Sequence, residues 1–459
     1  MKTRLTFQIV LLLAALAAAP GQEPSTALQT TAAGRRVQEY LKAFNSGSDS
    51  TMRGFFARNL DAEAGRRIPI DQRIERYHQM RSMAGTFTLK RVLRSSDDRA
   101  SVIVSSRDGY LLKMDFQCET AAPHGLVAVA VEEVQPGDEA VTPAKDDAAL
   151  ADAAGRYVRS QADSDRFSGV VLIAKGGTPI FREAYGLADR EKNIPNTIDT
   201  RFNLGSMNKI FTHLAIDQLA SAGKISLADT LGTILPGYPN HDAARKITMR
   251  QLLDMSSGIG DFFNERYDAA PKESLRTIGA YMTLFADKPL SFEPGSRRMY
   301  SNGGYIVLGA IVEKVSGLDY YTYVRRNIFV PAGMNATDSF AKDSLPADAA
   351  IGYTMRGGGG SMKGWRPNYD RLPGRGSSAG GGYSTAMDLL RYTMALAGAP
   401  FVPSSFEPKK GLGIAGGMEG VNAALEWNPA TGYAIIVLCN MDPPAAEKTA
   451  QHIRALLPR

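Results

Sequence analysis

At 459 residues the chain is too long for one ordinary hydrophobic core, so two folded domains are expected. Apolar residues at 44% and charged residues at 22% describe a globular protein, and the formal charge of +6 includes no basic run interleaved with aromatics, which argues against nucleic acid as a partner. Cys118 and Cys439 lie far apart in apolar stretches, so both read as buried thiols and neither a disulfide framework nor a zinc site is expected.

Residues 1–21 read as a secretory signal peptide. Lys2 and Arg4 precede an apolar run from Ile9 to Ala19, followed by Pro20 and Gly21. The run is too short for a permanent bilayer span, no second long apolar segment follows, and no cysteine near the cleavage point could carry a lipid. Export to the periplasm or the medium, without a stable membrane anchor, is the expectation.

Residues 28–138 read as a small α+β accessory unit. Val37, Tyr40, Leu41 and Phe44 give Arg35–Phe44 helical spacing, and Asn45-Ser46-Gly47-Ser48 stops it. Ile74, Tyr77, Met80 and Met83 do the same for Asp71–Met83. Four strand-like runs follow: Thr86–Val92, Ala100–Ser105, Tyr110–Gln117 and Leu126–Val134. Helices followed by an antiparallel sheet imply a compact unit. It resembles the cone-shaped cystatin or nuclear-transport-factor fold, and it contains no pair of acids or histidines that stands out as catalytic.

Gln135-Pro136-Gly137-Asp138 and the polar stretch to Asp147 read as a linker, with the second domain covering 146–459. Gly169–Ala174 and Thr178–Ala184 flank Lys175-Gly176-Gly177 as a hairpin, and Ala423–Trp427 and Tyr433–Cys439 flank a second turn. The chain closes with a helical pattern from Ala445 to Leu457, and the stretch between the hairpins is mainly helical. The fold class expected is α/β (α+β): an antiparallel sheet made from both ends of the domain, flanked by helices, with a helical insertion.

Ser-x-x-Lys occurs at Ser206–Lys209, Ser221–Lys224 and Ser339–Lys342. Only Ser206 opens an amphipathic helix, where Ile210, Phe211, Leu214, Ala215 and Leu219 form an apolar face. At i and i+3, Ser206 and Lys209 share a side at proton-transfer range, next to unsatisfied helix N–H groups. Ser221 stands where that helix ends at Gly223, and Ser339 lies in a loop-like stretch. Tyr300-Ser301-Asn302 follows the Glu293-Pro294-Gly295 turn and precedes an apolar helix, so a phenol and an amide are available to relay a proton and hold the lysine. Tyr238-Pro239-Asn240 sits in a turn-rich loop and reads as structural.

The segment Phe202-Asn203-Leu204-Gly205-Ser206-Met207-Asn208-Lys209, with Tyr300-Ser301-Asn302 and Ala379-Gly380-Gly381-Gly382-Tyr383-Ser384-Thr385 in order, resembles class C β-lactamase-like serine hydrolases. That group includes carboxypeptidases, D-aminopeptidases and family VIII esterases. The resemblance covers Phe167 to the end. It implies Ser206 as acyl-forming nucleophile, Lys209 as its base, Tyr300 as proton relay, and Asn302 as the group that orients lysine and substrate, while the motif leaves open which of Lys209 and Tyr300 takes the first proton. Relatives carry Lys-Thr-Gly, His-Thr-Gly or His-Gly-Gly as a third motif, and the matching run here is Ile414-Ala415-Gly416-Gly417. Gly416 and Gly417 keep the strand able to offer an oxyanion-binding N–H, while the cation and hydroxyl that grip a substrate carboxylate are missing, unless Lys409 or Lys410 replaces them. Esters and uncharged small amides therefore rank above β-lactams, with no metal or organic cofactor implied.

Gly411-Leu412-Gly413-Ile414-Ala415-Gly416 matches Gly-x-Gly-x-x-Gly literally but lacks a βαβ setting. In Gly376-Ser377-Ser378-Ala379-Gly380-Gly381 a tight loop feeding a helix capped by Ser384 or Thr385 outweighs a Ser–Ser–Lys amidase site. No histidine, His213 included, sits in a nucleophile elbow, which disfavours a Ser-His-Asp triad. A weakly catalytic sensor or binding protein of the cell envelope is the alternative that the altered third motif keeps open. Oligomeric state is not legible.

Overall fold

The computed structural model describes residues 28, 30–107, 111–134, 142–355 and 364–458. The proposed leader at 1–21, the core of the linker (135–141) and the Met83 side chain lie outside the described residues. Two compact units divide between Ala140 and Val141.

The first unit consists of helices α1 (Ala32–Ser46), α2 (Asp49–Asn59), α3 (Ala62–Arg67) and α4 (Ile70–Ala84), then strands β1 (Thr88–Ser95), β2 (Arg99–Ser105), β3 (Leu111–Cys118) and β4 (Leu126–Glu133). The strands form one antiparallel sheet in sequence order. The predicted stripe of α1 is buried: Val37, Tyr40 and Phe44 pack with Phe55, Met114 and Phe116, and Phe44 stacks on Phe87 at 4.4 Å. Helices α2 and α3 are not anticipated from the sequence. Ser48, read there as part of a stop, also caps α2 by accepting from the Thr51 N–H. Asp61 caps α3 in the same way.

The second unit is three-layered around a five-stranded antiparallel sheet. Its N-terminal part gives α5 (Asp147–Asp163), β5 (Gly169–Lys175) and β6 (Thr178–Tyr185). The middle supplies α6 (Lys209–Ser221), α7 (Asn302–Ser316) and α8 (Ala386–Leu396), with several shorter helices between α6 and α7. The C-terminal part gives β7 (Leu412–Met418), β8 (Val421–Trp427), β9 (Tyr433–Cys439) and α9 (Ala445–Leu456). The strand order is β7-β8-β9-β5-β6, so both ends of the unit meet at the β9–β5 pair.

Strand alternation between two cores explains why β5 and β9 are apolar almost throughout. Val171, Ile173, Ile435 and Val437 face a core with Leu150, Val158 and Ile453 of α5 and α9. The intervening Val170, Leu172, Ile436 and Leu438 face the larger core that contains α6, α7 and α8. Helix α5 begins where the linker reading ends and is not anticipated from the sequence; Asp146 caps it and Leu150, Ala154 and Val158 are its buried face. Cys118 and Cys439 are both buried free thiols. Among the described residues no helix is long and apolar enough to cross a membrane.

Candidate active site

Ser206 sits in a 3-10 turn, Gly205–Asn208, that runs directly into α6. With three residues per turn, i and i+3 eclipse, which stacks Lys209 over Ser206 more closely than an α-helix would. Gly205 begins the turn at φ +50°, a conformation that favours glycine. The turn is stitched to the glycine loop before α8: the Leu204 N–H donates to the Gly382 carbonyl at 2.8 Å and the Gly381 N–H to the Gly205 carbonyl at 3.2 Å. Thr385 caps α8 by accepting from the Asp388 N–H.

Tyr300 ends the loop before α7. Ser301 caps that helix through the Gly304 N–H and donates its hydroxyl to the Gly260 carbonyl at 3.1 Å. The first residue of α7, Asn302, is thereby turned inward and buried.

These elements converge on one atom. Lys209 Nζ lies 3.2 Å from Ser206 Oγ, and the Tyr300 hydroxyl donates to the same Oγ at 2.6 Å. Lys209 Nζ also donates to Asn302 Oδ1 at 2.7 Å and to the Ala379 carbonyl. The aromatic faces of Tyr300 and Tyr305 flank the ammonium at 4.9 and 5.5 Å. Only 4% of Lys209 is exposed. Burial pushes its pKa down from 10.5 to about 7, opposed by the nearby Asp261 carboxylate. Tyr300 is half-exposed as a residue, yet the protein packed round its phenol raises its pKa; the Ser206 hydroxyl, which can donate to a phenolate, opposes that and Asp261 adds to it.

The edge strand β7 closes the other side. Gly416 lies so near the nucleophile turn that a Cβ on it would meet the Leu204 carbonyl oxygen at 2.0 Å, Met207 N at 2.6 Å and Ser206 N at 2.9 Å. The two-residue turn Glu419-Gly420 pairs Met418 with Val421. Ladder alternation then directs the Gly417 N–H away from β8 towards the open edge, beside Gly205. No acceptor among the described residues takes the Ser206 N–H. Gly416→Ala is expected to lower stability by about 1–3 kcal/mol and any turnover at Ser206 by at least about tenfold. Thermal melting and steady-state kinetics check this, with Gly413→Ala, whose Cβ would meet nothing within 4 Å, as the silent control.

The other sequence candidates fall elsewhere. The Ser221–Lys224 pair is at the C-terminus of α6, and the Lys342 ammonium lies 3.4 Å from Glu273. Ile414 is partly buried against the main core, so the third-motif position at which the resemblance leads one to expect a cation is apolar here. Lys410 is paired with Glu407 at 2.9 Å. His213, one turn beyond Lys209, packs edge-on against Phe406. Asp261 and the Ala379 carbonyl were not singled out in the sequence. The Asn302 amide donates to Asp261 Oδ2 at 2.7 Å, and only the loop's position, 41 residues before Asn302, makes that visible.

The sheet, the inserted helices and a serine–lysine–tyrosine cluster define a serine-hydrolase architecture. The Beta-lactamase family model matches residues 154–457, and the chain belongs to that family as a serine hydrolase. A penicillin-binding protein of Bacillus subtilis (strain 168) is 33% identical over 186 residues, which is 40% of this chain and 40% of that protein. A second, putative penicillin-binding protein from the same strain is 30% identical over 50% of this chain and 55% of its own length. The chain thus spans about half, or less, of the curated relatives it matches. The crystal structure of a penicillin binding protein from Bacillus halodurans is 30% identical with a TM-score of 0.59, covering 66% of this chain and 99% of that one.

Proposed function

We propose that this protein is an exported hydrolase that cleaves esters and small uncharged amides through an acyl-Ser206 intermediate. The observation that carries the reading is the convergence of Lys209 Nζ and Tyr300 OH on Ser206 Oγ. An ammonium has three donors, and Lys209 has three acceptors round it: Ser206 Oγ, Asn302 Oδ1 and the Ala379 carbonyl. When Lys209 is neutral it exposes one lone pair, and of the three partners only Ser206 has a hydrogen to give. Lys209 therefore acts as base towards Ser206.

Ser206 Oγ attacks the carbonyl carbon while its proton passes to Lys209 Nζ. Negative charge on the former carbonyl oxygen is met by the Ser206 and Gly417 N–H groups. Collapse breaks the bond to the leaving alkoxide or amine, which takes a proton from the Tyr300 hydroxyl; Tyr300 is reprotonated from Lys209. Water then attacks the acyl-enzyme by the reverse proton path and releases the acid.

Substrate preference follows from the third motif. Ile414 and Ala415 offer no charge to a carboxylate, and a charge-assisted hydrogen bond is worth about 1.5–3 kcal/mol, or roughly 10–100-fold in kcat/KM. Measured on p-nitrophenyl butyrate and a chromogenic cephalosporin, kcat/KM is expected to favour the ester by at least about 100-fold. Comparable turnover of the β-lactam would sink this preference.

A further inference from the structure

Resting on the reading of Ser206 and Lys209 above, we propose that Asp261 is a positioning residue: it locks the Asn302 amide so that only its oxygen faces Lys209, which reserves the lone pair of the neutral amine for the Ser206 hydroxyl.

An amide presents an acceptor on one side and a donor on the other, and turning it over exchanges them. Asn302 is buried between two groups that want different sides. Asp261 Oδ2 sits 2.7 Å from Nδ2, and an ionised carboxylate only accepts, so the NH2 is drawn to it. Oδ1 is left facing Lys209 Nζ at 2.7 Å. Reversed, the NH2 would repel the ammonium and would donate to the neutral amine's lone pair, competing with Ser206. The carboxylate is itself held in place: its Oδ1 accepts from the Phe263 N–H at 3.0 Å, and the neighbouring Gly260 carbonyl accepts from Ser301 at 3.1 Å.

Charge adds a second effect. The groups facing Lys209 are Asp261, the Tyr300 and Tyr305 rings, and the neutral Asn302 and Ala379. Of these Asp261 carries the charge, and it favours the ammonium. Lys288 lines the hollow of about 200 Å³ that Asp261 borders with Ile259, Phe285 and Leu290. Removing the carboxylate charge therefore makes Lys209 easier to deprotonate while freeing the amide to turn.

The test compares wild type with D261N, D261A and D261E in the purified full-length protein, using p-nitrophenyl butyrate and counting active serines with a fluorophosphonate. D261N is nearly isosteric but no longer dictates which side of Asn302 it meets. It is expected to lower kcat per active serine about tenfold or more, with KM within about twofold, and to move the acid limb of kcat/KM to lower pH. D261A should behave the same way and D261E should recover part of both readouts. Variants that melt lower or lose titratable serine, yet turn over at wild-type kcat with an unmoved acid limb, would show a merely structural residue and overturn the proposal. An inactive S206A beside an unchanged D261N removes only the role of Asp261, whereas hydrolysis that survives in S206A overturns the nucleophile reading as well.

Discussion

Ser206→Ala is expected to lower kcat for p-nitrophenyl butyrate by at least about 10⁴-fold and to abolish the fluorophosphonate adduct. The loss should be this large because, in the mechanism proposed, Lys209 and Tyr300 both act through Ser206 Oγ, which they approach to 3.2 and 2.6 Å. With that oxygen gone the base has no proton to take and no acyl group can be held. What survives is substrate binding and any oxyanion stabilisation by backbone N–H groups, which alone sustain only a small rate over water. Alanine removes one partly buried hydroxyl from a turn held by backbone bonds at Leu204 and Gly205, so the melting temperature should barely move. Intact mass spectrometry reads the adduct and absorbance reads turnover. A wild-type protein that forms no adduct and hydrolyses no faster than the variant would return the chain to the binding-protein class.

The second large effect concerns pH. Because burial holds the Lys209 pKa near 7, the neutral amine predominates above that value and the ammonium below it. Only the neutral form accepts the Ser206 proton, so kcat/KM should fall about tenfold per unit below pH 7 and level off above it. The phenol of Tyr300 is shifted upwards, chiefly by burial, so it keeps its proton across this plateau. Lys209→Met should lower kcat by about 10³-fold or more and erase the acid limb from whatever rate remains.

The same substitution should raise the melting temperature at neutral pH. Between about 7 and the ordinary lysine value of 10.5 the unfolded chain binds a proton that the folded chain does not, so folded stability rises with pH across that window. Below it the cost of burying the ammonium is carried in full. Methionine carries no such cost, and function here opposes stability. Paired melts at pH 6 and pH 8 test the sign: wild type should gain more stability between them than Lys209→Met, whose remaining gain comes from buried His213, with its pKa pushed down to about 4.

Local spacing made much of this legible. Ser206 and Lys209 are one turn apart, and caps and breakers near Ser221 and Ser339 distinguish three copies of the same tetrapeptide. The apolar stripes of α1, α6 and α7 and the hairpin at either end of the second unit are likewise local, so periodicity and turn residues reveal them. Helix α2 escaped because its start and the end of α1 share one polar tetrapeptide, Asn45–Ser48, which reads only as a break.

By itself, then, the sequence determined the chemistry available: a serine, a lysine and a tyrosine in ordered motifs, and a third motif stripped of its charge. The tertiary structure decided what that chemistry becomes. Lys209 has a pKa near 7 only because α6, α7 and the glycine loop close over it. Asp261 meets Asn302 only because Ser301 pins the start of α7 to the Gly260 carbonyl. Burial and amide orientation depend on segments distant in the chain being pressed together, and one-dimensional spacing carries no record of that.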